Sequence, residues 1–325
     1  MKIIIPGGSG QVGALLTRAF VKEGHEVVVL SRSGDSRPGQ AHRVVAWDAR
    51  TMGDWAAELE GADVVINLAG RSVNCRYTPA NREVITRSRV DSTLIIGEAI
   101  SKAAQPPRVW LQSSTATIYC HRYDAPNDDV TGILGGDEPS APDTWKFSIH
   151  VAKSWEEAAL ARALPPRTRQ VLLRSAVVVS PDRHGIFDTL LMLVRRGLGG
   201  TAGHGRQFVS WIHEHDFIRA IQFLIDTPSL SGPVALAAPH PLPNAQFMRE
   251  LRRAWGMPIG LPAMQWMLEL GAIFMRTETE LILKSRRVVG TRLMQQGFQF
   301  EYTEWPAAAR ELCDRWRAWN NTMVR

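Results

Sequence analysis

The feature that most constrains this chain is a glycine-rich turn, Gly7-Gly8-Ser9-Gly10-Gln11-Val12-Gly13, set between a short apolar run and an amphipathic pattern. Lys2–Ile5 reads as a strand. Gly13–Glu23 reads as a helix, because Val12, Leu15, Leu16, Ala19 and Phe20 recur at helical spacing. In that setting Gly7 makes the tight turn, Gly10 lets backbone approach a pyrophosphate, and Gly13 lets helix and strand pack closely. The helix N-terminus, with Ser9, Gln11 and Val12 around it, offers free N–H groups and a positive dipole end to phosphates.

The first half continues as alternating β-branched runs and helical patterns, the signature of βαβ units and a parallel sheet covered on both faces. Strands are predicted at Lys2–Ile5, Glu26–Leu30, Val44–Ala46, Val64–Leu68, Val109–Gln112 and Gln170–Val179, with a long helix near Asn81–Ala104. The fold class expected is α/β, a doubly wound parallel sheet of Rossmann type with a smaller, mainly helical C-terminal lobe. Residues 1–180 form the dinucleotide-binding domain and 210–235 return to it, since Ser210–Thr227 looks like a strand and helix. Residues 181–209 and 236–325 form the smaller lobe, and a cleft between the lobes is the expected ligand site.

Composition narrows the classes further. A chain of 325 residues with 45% hydrophobic content can bury a large core. Cys75, Cys120 and Cys313 are odd in number and widely spaced, so neither a disulfide framework nor a metal site is expected, which fits a reducing, cytoplasmic setting. The N-terminal apolar run is too short for a secretory signal. Ile259 to Met275, interrupted by Pro262 and Glu269, reads as a buried amphipathic helix rather than a membrane span. A net charge of +6 is carried by scattered Arg residues without a basic run, so a phosphorylated small molecule is expected as partner and nucleic acid is not. A monomer or homodimer is the expected assembly.

The strand tips specify the dinucleotide. An acidic residue after the second strand would bind the ribose hydroxyls of NAD, whereas Ser31 and Arg32 suit the extra 2′-phosphate of NADP(H). Asp48, after the third strand, could accept from the adenine amino group. Leu68, Ala69 and Gly70 close the fourth strand with little bulk beside the adenosine half.

Ser31-Arg32, Asn67-Leu68-Ala69-Gly70, Ser88-Arg89, Arg174-Ser175, Gly197-Leu198-Gly199-Gly200, Gly205-Arg206-Gln207, Ser210-Trp211-Ile212-His213 and Gly297-Phe298-Gln299-Phe300 join the glycine loop in one further pattern. Over essentially its whole length the chain resembles the atypical extended short-chain dehydrogenases/reductases, in the epimerase-like branch that carries a C-terminal domain of unknown function. The resemblance implies that Arg89 reaches toward cofactor phosphate or substrate. In that family a Tyr four residues before a Lys exchanges the substrate proton, the Lys binds the nicotinamide ribose, and a Ser or Thr after the fifth strand holds the substrate oxygen. It follows that Thr115 takes the hydroxyl role and Lys153 the Lys position, but the residue four before Lys153 is Ile149. Tyr119, His150 and His213 are the groups available to replace the missing phenol.

Arg206, Gln207, Trp211 and His213 are grouped near the expected cleft. They would suit an acidic or hydroxylated ligand stacked on an indole, and equally suit packing with a helix cap before Asp216. Trp255, Trp266, Trp305 and Trp316 read as packing residues. The function expected is an NADP-dependent oxidoreductase or epimerase acting on a small hydroxyl or carbonyl compound, sugar-like or nucleotide-linked. The alternative is an NADP(H)-binding regulator without turnover, motivated by Ile149.

Overall fold

Strands rich in Val and Ile that are apolar on both faces can be satisfied only in the middle of a layered structure, and that is where the chain puts them. The computed structural model describes residues 1–34, 40–139, 141–264, 278 and 280–323. Its strands are β1 (Lys2–Pro6), β2 (Glu26–Ser31), β3 (Arg43–Ala46), β4 (Val64–Asn67), β5 (Val109–Thr115), β6 (Arg169–Ser175), β7 (Val177–Val179), β8 (Phe208–Val209), β9 (Trp211–His213), β10 (Gly232–Leu236) and β11 (Leu242–Pro243). The helices that matter for the site are α1 (Gln11–Lys22), α2 (Pro79–Lys102), α3 (Asp143–Leu160), α4 (Ile186–Arg195) and α5 (Glu214–Asp226).

Seven strands form one sheet in the order β10-β6-β5-β4-β1-β2-β3, with every pairing parallel. Chain order runs outward in opposite directions from β1 and from β4, so a crevice opens at the carboxyl ends of these two strands, where ligands of such sheets bind. Alternation along each strand divides the core. Ile3, Ile5, Val27, Val29, Val64 and Ile66 pack with Leu15, Leu16 and Phe20 of α1 and with Phe217, Ile221 and Leu224 of α5. Ile4, Val28, Leu30 and Val65 face the other way, against Ile96 and Ile100 of α2 and Ala159 of α3.

The long helix starts at Pro79, slightly ahead of the predicted Asn81. Thr78 accepts from Asn81 N at 3.3 Å as N-cap, and Pro79, which has no amide hydrogen to lose, takes the first turn. The expected strand Gln170–Val179 divides at Ala176, whose N donates to Leu236 O. Beyond it β7 leaves the sheet and pairs with β9, because Val179 and Trp211 are claimed by a second apolar cluster with Phe187, Leu191, Trp305 and Leu312. The segment that follows Ser210 thus contributes α5 to the sheet's face, and β10 supplies the edge strand beside β6.

Trp305 and Trp316 are buried in that second cluster and Trp255 packs on it; Trp266 lies outside the described residues. So does most of the apolar stretch 259–275, whose described beginning, Ile259 and Leu261, is exposed. Among the described residues no helix is long and apolar enough to cross a membrane.

Candidate functional site

The glycine loop joins β1 to α1 at the crevice. Gly7 has φ +77°, and an added Cβ would lie 2.8 Å from the backbone of Ala69, so both the dihedral and the contact require glycine. Gly13 presses against the loop, since its Cβ would fall 2.5 Å from Gly8 Cα. Above Gly10 the space is open apart from Gly7 O at 3.4 Å, and Ser9, Gly10 and Gln11 are exposed. Backbone N–H groups at the start of α1 are therefore accessible to an anion. Val12 is turned toward the sheet core, and the Gln11 side chain lies against Gly185, the residue before α4. Replacing Gly7 by alanine is expected to cost about 1–3 kcal/mol through strain and crowding, read as a lower urea midpoint together with weakened nucleotide binding.

At the tip of β2 three hydroxyls converge: Ser31 Oγ lies 3.5 Å from Ser9 Oγ and 3.3 Å from Ser33 Oγ. Arg32 is exposed in the same segment, and among the described residues of this tip, 31–34, none is acidic. Clustered hydroxyl donors next to an exposed arginine in sequence suit a phosphate monoester. Asp48 is occupied differently. It closes its own turn, accepting from Thr51 Oγ1 at 2.6 Å, Thr51 N at 2.9 Å and Arg50 N at 2.8 Å, and these bonds hold its carboxyl down at about 2.

Asn67, fully buried at the end of β4, donates to Gln112 Oε1 at 2.9 Å and accepts from Ala69 N at 3.1 Å. This fixes the path of Leu68-Ala69-Gly70 next to the glycine loop. Arg89 of α2 lies across Gly70, so close that a Cβ there would meet its Cγ and Cζ at 3.3 Å. Its guanidinium donates to Ile85 O at 3.0 Å and sits 5.0 Å from the Trp155 ring centroid. Among the described residues no carboxylate is within ion-pairing distance of it, and burial pushes its pKa down to about 10. A half-buried cation without a carboxylate partner among the described residues suits an anion.

Arg89 also lines a cavity of about 130 Å³ together with Tyr77, Thr115, Ser148, Trp155 and Glu280. Thr115 Oγ1 accepts from Thr117 N at 3.2 Å as cap of the short 3-10 turn Ala116–Ile118, which leaves its own hydrogen free to donate into the cavity. That turn is clamped from the C-terminal region, because Arg286 Nε donates to Thr117 Oγ1 at 2.9 Å and Lys284 Nζ to Thr117 O at 2.7 Å. Burial, with the Arg286 charge adding, pushes Lys284 down to about 8. Glu280, 1% exposed, pairs with Arg286 at 2.6 Å and accepts from Ser148 Oγ at 3.2 Å.

The other sequence candidates lie elsewhere. Ile149 and Lys153 are turned toward Gly135 and Gly136, Lys153 Nζ being 3.3 Å from where a Cβ of Gly136 would be, so Lys153 does not line the Thr115 cavity. The face of α3 that does is Ser148, Val151 and Trp155, one residue and about 100° away round the helix. Tyr119 is 2% exposed; its hydroxyl accepts from Arg174 Nη1 at 3.2 Å, and burial pushes it up to about 12. His150 is exposed.

Of the grouped substrate candidates, none lines the cavity. Arg206 is exposed, and Gln207 is buried, donating to Ala202 O at 2.9 Å. Trp211 packs edge-on against Trp305 at 5.2 Å. His213 Nδ1 accepts from His215 N as the cap of α5, so Nε2 carries the hydrogen and donates to Glu311 at 2.9 Å. Packing and capping account for the last two.

Sequence reasoning missed Tyr77, Ser148 and Glu280. The available signal was the acidic pair Glu278 and Glu280 running into Lys284-Ser285-Arg286-Arg287, a charge-dense stretch beside an apolar one.

Residues 3–234 match the NAD dependent epimerase/dehydratase family, and residues 265–312 match a domain of unknown function, DUF1731. The epimerase family protein SDR39U1 of Bos taurus is 31% identical over 316 residues, covering 96% of this chain and 99% of the relative. The epimerase family protein YfhF of Bacillus subtilis is 30% identical over 318 residues, covering 96% and 98%. The crystal structure of human SDR39U1 (isoform 2) with NADPH superposes with a TM-score of 0.82 at 29% identity, over 97% of this chain and 99% of that one.

Proposed function

The chain belongs to the NAD-dependent epimerase/dehydratase family, and on that footing we propose that it binds NADP(H) across the β1/β4 crevice and acts on a small hydroxyl or carbonyl compound in the Thr115 cavity. The observation that carries the reading is the cluster of Ser9, Ser31 and Ser33 hydroxyls beside exposed Arg32, where a dinucleotide lying on the glycine loop would carry its 2′-phosphate. The human relative solved with NADPH supports the choice of nucleotide.

In this reading the first amides of α1 hold the pyrophosphate, with Gly7 and Gly13 keeping the loop low enough for it to pass. Leu68, Ala69 and Gly70 face the adenosine half, and Arg89 neutralises a phosphate of the cofactor or an anionic group of the substrate. When bound, NADP(H) supplies or accepts a hydride. Thr115 donates its free hydrogen to the substrate oxygen and so stabilises the charge that develops there. The cavity walls Val73, Ile85, Phe147 and Val151 exclude water from the reacting carbon.

Absorbance of NADPH, followed against sugar nucleotides and small carbonyls, tests the proposal. Thr115→Val keeps the shape and removes the donor, and is expected to lower kcat by about 10²–10³-fold with NADPH affinity retained. A second reading, a nucleotide-responsive regulator, is favoured by one observation: Ile149, at the position of the family's phenol, is 1% exposed in packed surroundings. Tight NADPH binding with no turnover on any compound would favour it.

A further inference from the structure

The cavity contains a phenol that reaches it from a different side. Tyr77 lies just ahead of α2, is 7% exposed and lines the same cavity as Thr115. It is held rigidly: its backbone N donates to Glu278 Oε1 at 2.6 Å, and its ring meets Phe147 edge-on at 5.0 Å. Its side chain faces Ser148, whose Oγ donates to Glu280 Oε2 at 3.2 Å, and Glu280 is anchored by Arg286. These groups come from three separated parts of the chain, the approach to α2, the face of α3, and the segment after residue 277. Neither the sheet nor α3 alone would assemble them.

Resting on the reading of this cavity as the place of hydride transfer, we propose that Tyr77 is the proton donor and acceptor for the substrate oxygen, in place of the phenol that Ile149 cannot supply. In the reducing direction the carbonyl carbon takes a hydride with its electron pair from NADPH, the C=O π pair moves to oxygen, and that oxygen takes the Tyr77 proton while Thr115 holds it. The phenolate left behind accepts a hydrogen bond from Ser148, which swings from Glu280, and a solvent proton restores the phenol. The sum is one hydride and one proton added to the carbonyl, and the oxidising direction is the reverse. Burial, with the Glu280 charge adding and Ser148 opposing, pushes Tyr77 up to about 12, so the phenol carries its proton at neutral pH.

The test is Tyr77→Phe, which keeps the ring against Phe147. With a carbonyl that the wild type reduces, kcat is expected to fall by about 10²–10⁴-fold while NADPH affinity and the melting temperature stay near wild type. Turnover within about threefold of wild type overturns the assignment and leaves the nucleotide reading intact. Should the wild type reduce no compound, the 19F spectrum of protein labelled with 3-fluorotyrosine decides. Among its four tyrosines the resonance absent from Tyr77→Phe is expected to shift when dihydroxyacetone or cyclohexanone is added to the NADP⁺ complex. No shift with either compound overturns the assignment. A wild type that takes up no NADPH removes the nucleotide reading and Tyr77's role together.

Discussion

Arg32→Glu is expected to weaken NADPH binding by about 100-fold or more while NADH affinity changes by no more than a few fold. Arg32 is exposed between Ser31 and Ser33, the Ser31 hydroxyl lies within 3.5 Å of those of Ser9 and Ser33, and in the proposed binding mode only the 2′-phosphate of NADPH uses that corner. A charge-assisted hydrogen bond of this kind is worth about 1.5–3 kcal/mol, or about one to two decades. Glutamate removes the bond and adds repulsion against the phosphate, yet can accept from the two ribose hydroxyls of NADH. Fluorescence titration with both nucleotides reads the difference directly. Equal loss for NADPH and NADH would mean that the 2′-phosphate is held elsewhere.

The largest stability change is expected from Glu156→Ala, at about 3–5 kcal/mol in urea denaturation. Glu156 of α3 and Arg174 of β6 are 7% and 8% exposed and bonded in a fork, with Nε to Oε1 at 2.8 Å and Nη2 to Oε2 at 2.7 Å. Ser114 Oγ donates to the same carboxylate at 2.6 Å, and the third guanidinium nitrogen reaches Tyr119. Burial opposes the Arg174 charge, and the Glu156 bond and charge outweigh it and hold its pKa above the ordinary arginine value. Alanine leaves that charge buried without its partner, and the loss is full because the site stays closed to water. The pair Glu156→Met with Arg174→Met removes both charges and is expected to recover most of the stability. If Glu156→Ala alone costs less than about 1 kcal/mol, water reaches the pair and the closed packing of α3 on the sheet is wrong.

The parts of this structure that local rules dictate were legible in the sequence. Short β-branched runs marked the strands, and three glycines at fixed spacing marked the loop, because a positive φ at Gly7 and the contact of Gly13 with Gly8 leave no other residue a place. The division of Gln170–Val179 was not legible, since what pulls β7 away is a cluster with Trp305 and Leu312, more than a hundred residues later in the chain. Which face of α3 lines the cavity was not legible for a related reason. Lys153 fits the family spacing in the sequence, and the packing that brings Glu156 to Arg174 turns Ser148, not Ile149, into the cavity. Trp211 and His213 sat together in sequence and suited a binding surface or packing equally, and the choice between the two needed Trp305 and Glu311, which lie against them from late in the chain. Glu280 could not be tied to Thr115 at all without the fold, since 165 positions separate them by number.

Calorimetric titration of the folded protein with NADPH bears most directly on the central claim, that amides opening α1 and the Arg32 corner together hold a phosphorylated dinucleotide. The account predicts saturable binding at one site, tighter for NADPH than for NADH by about one to two decades. Absence of any heat of binding with either nucleotide at millimolar concentration, from protein shown to be folded, would contradict it.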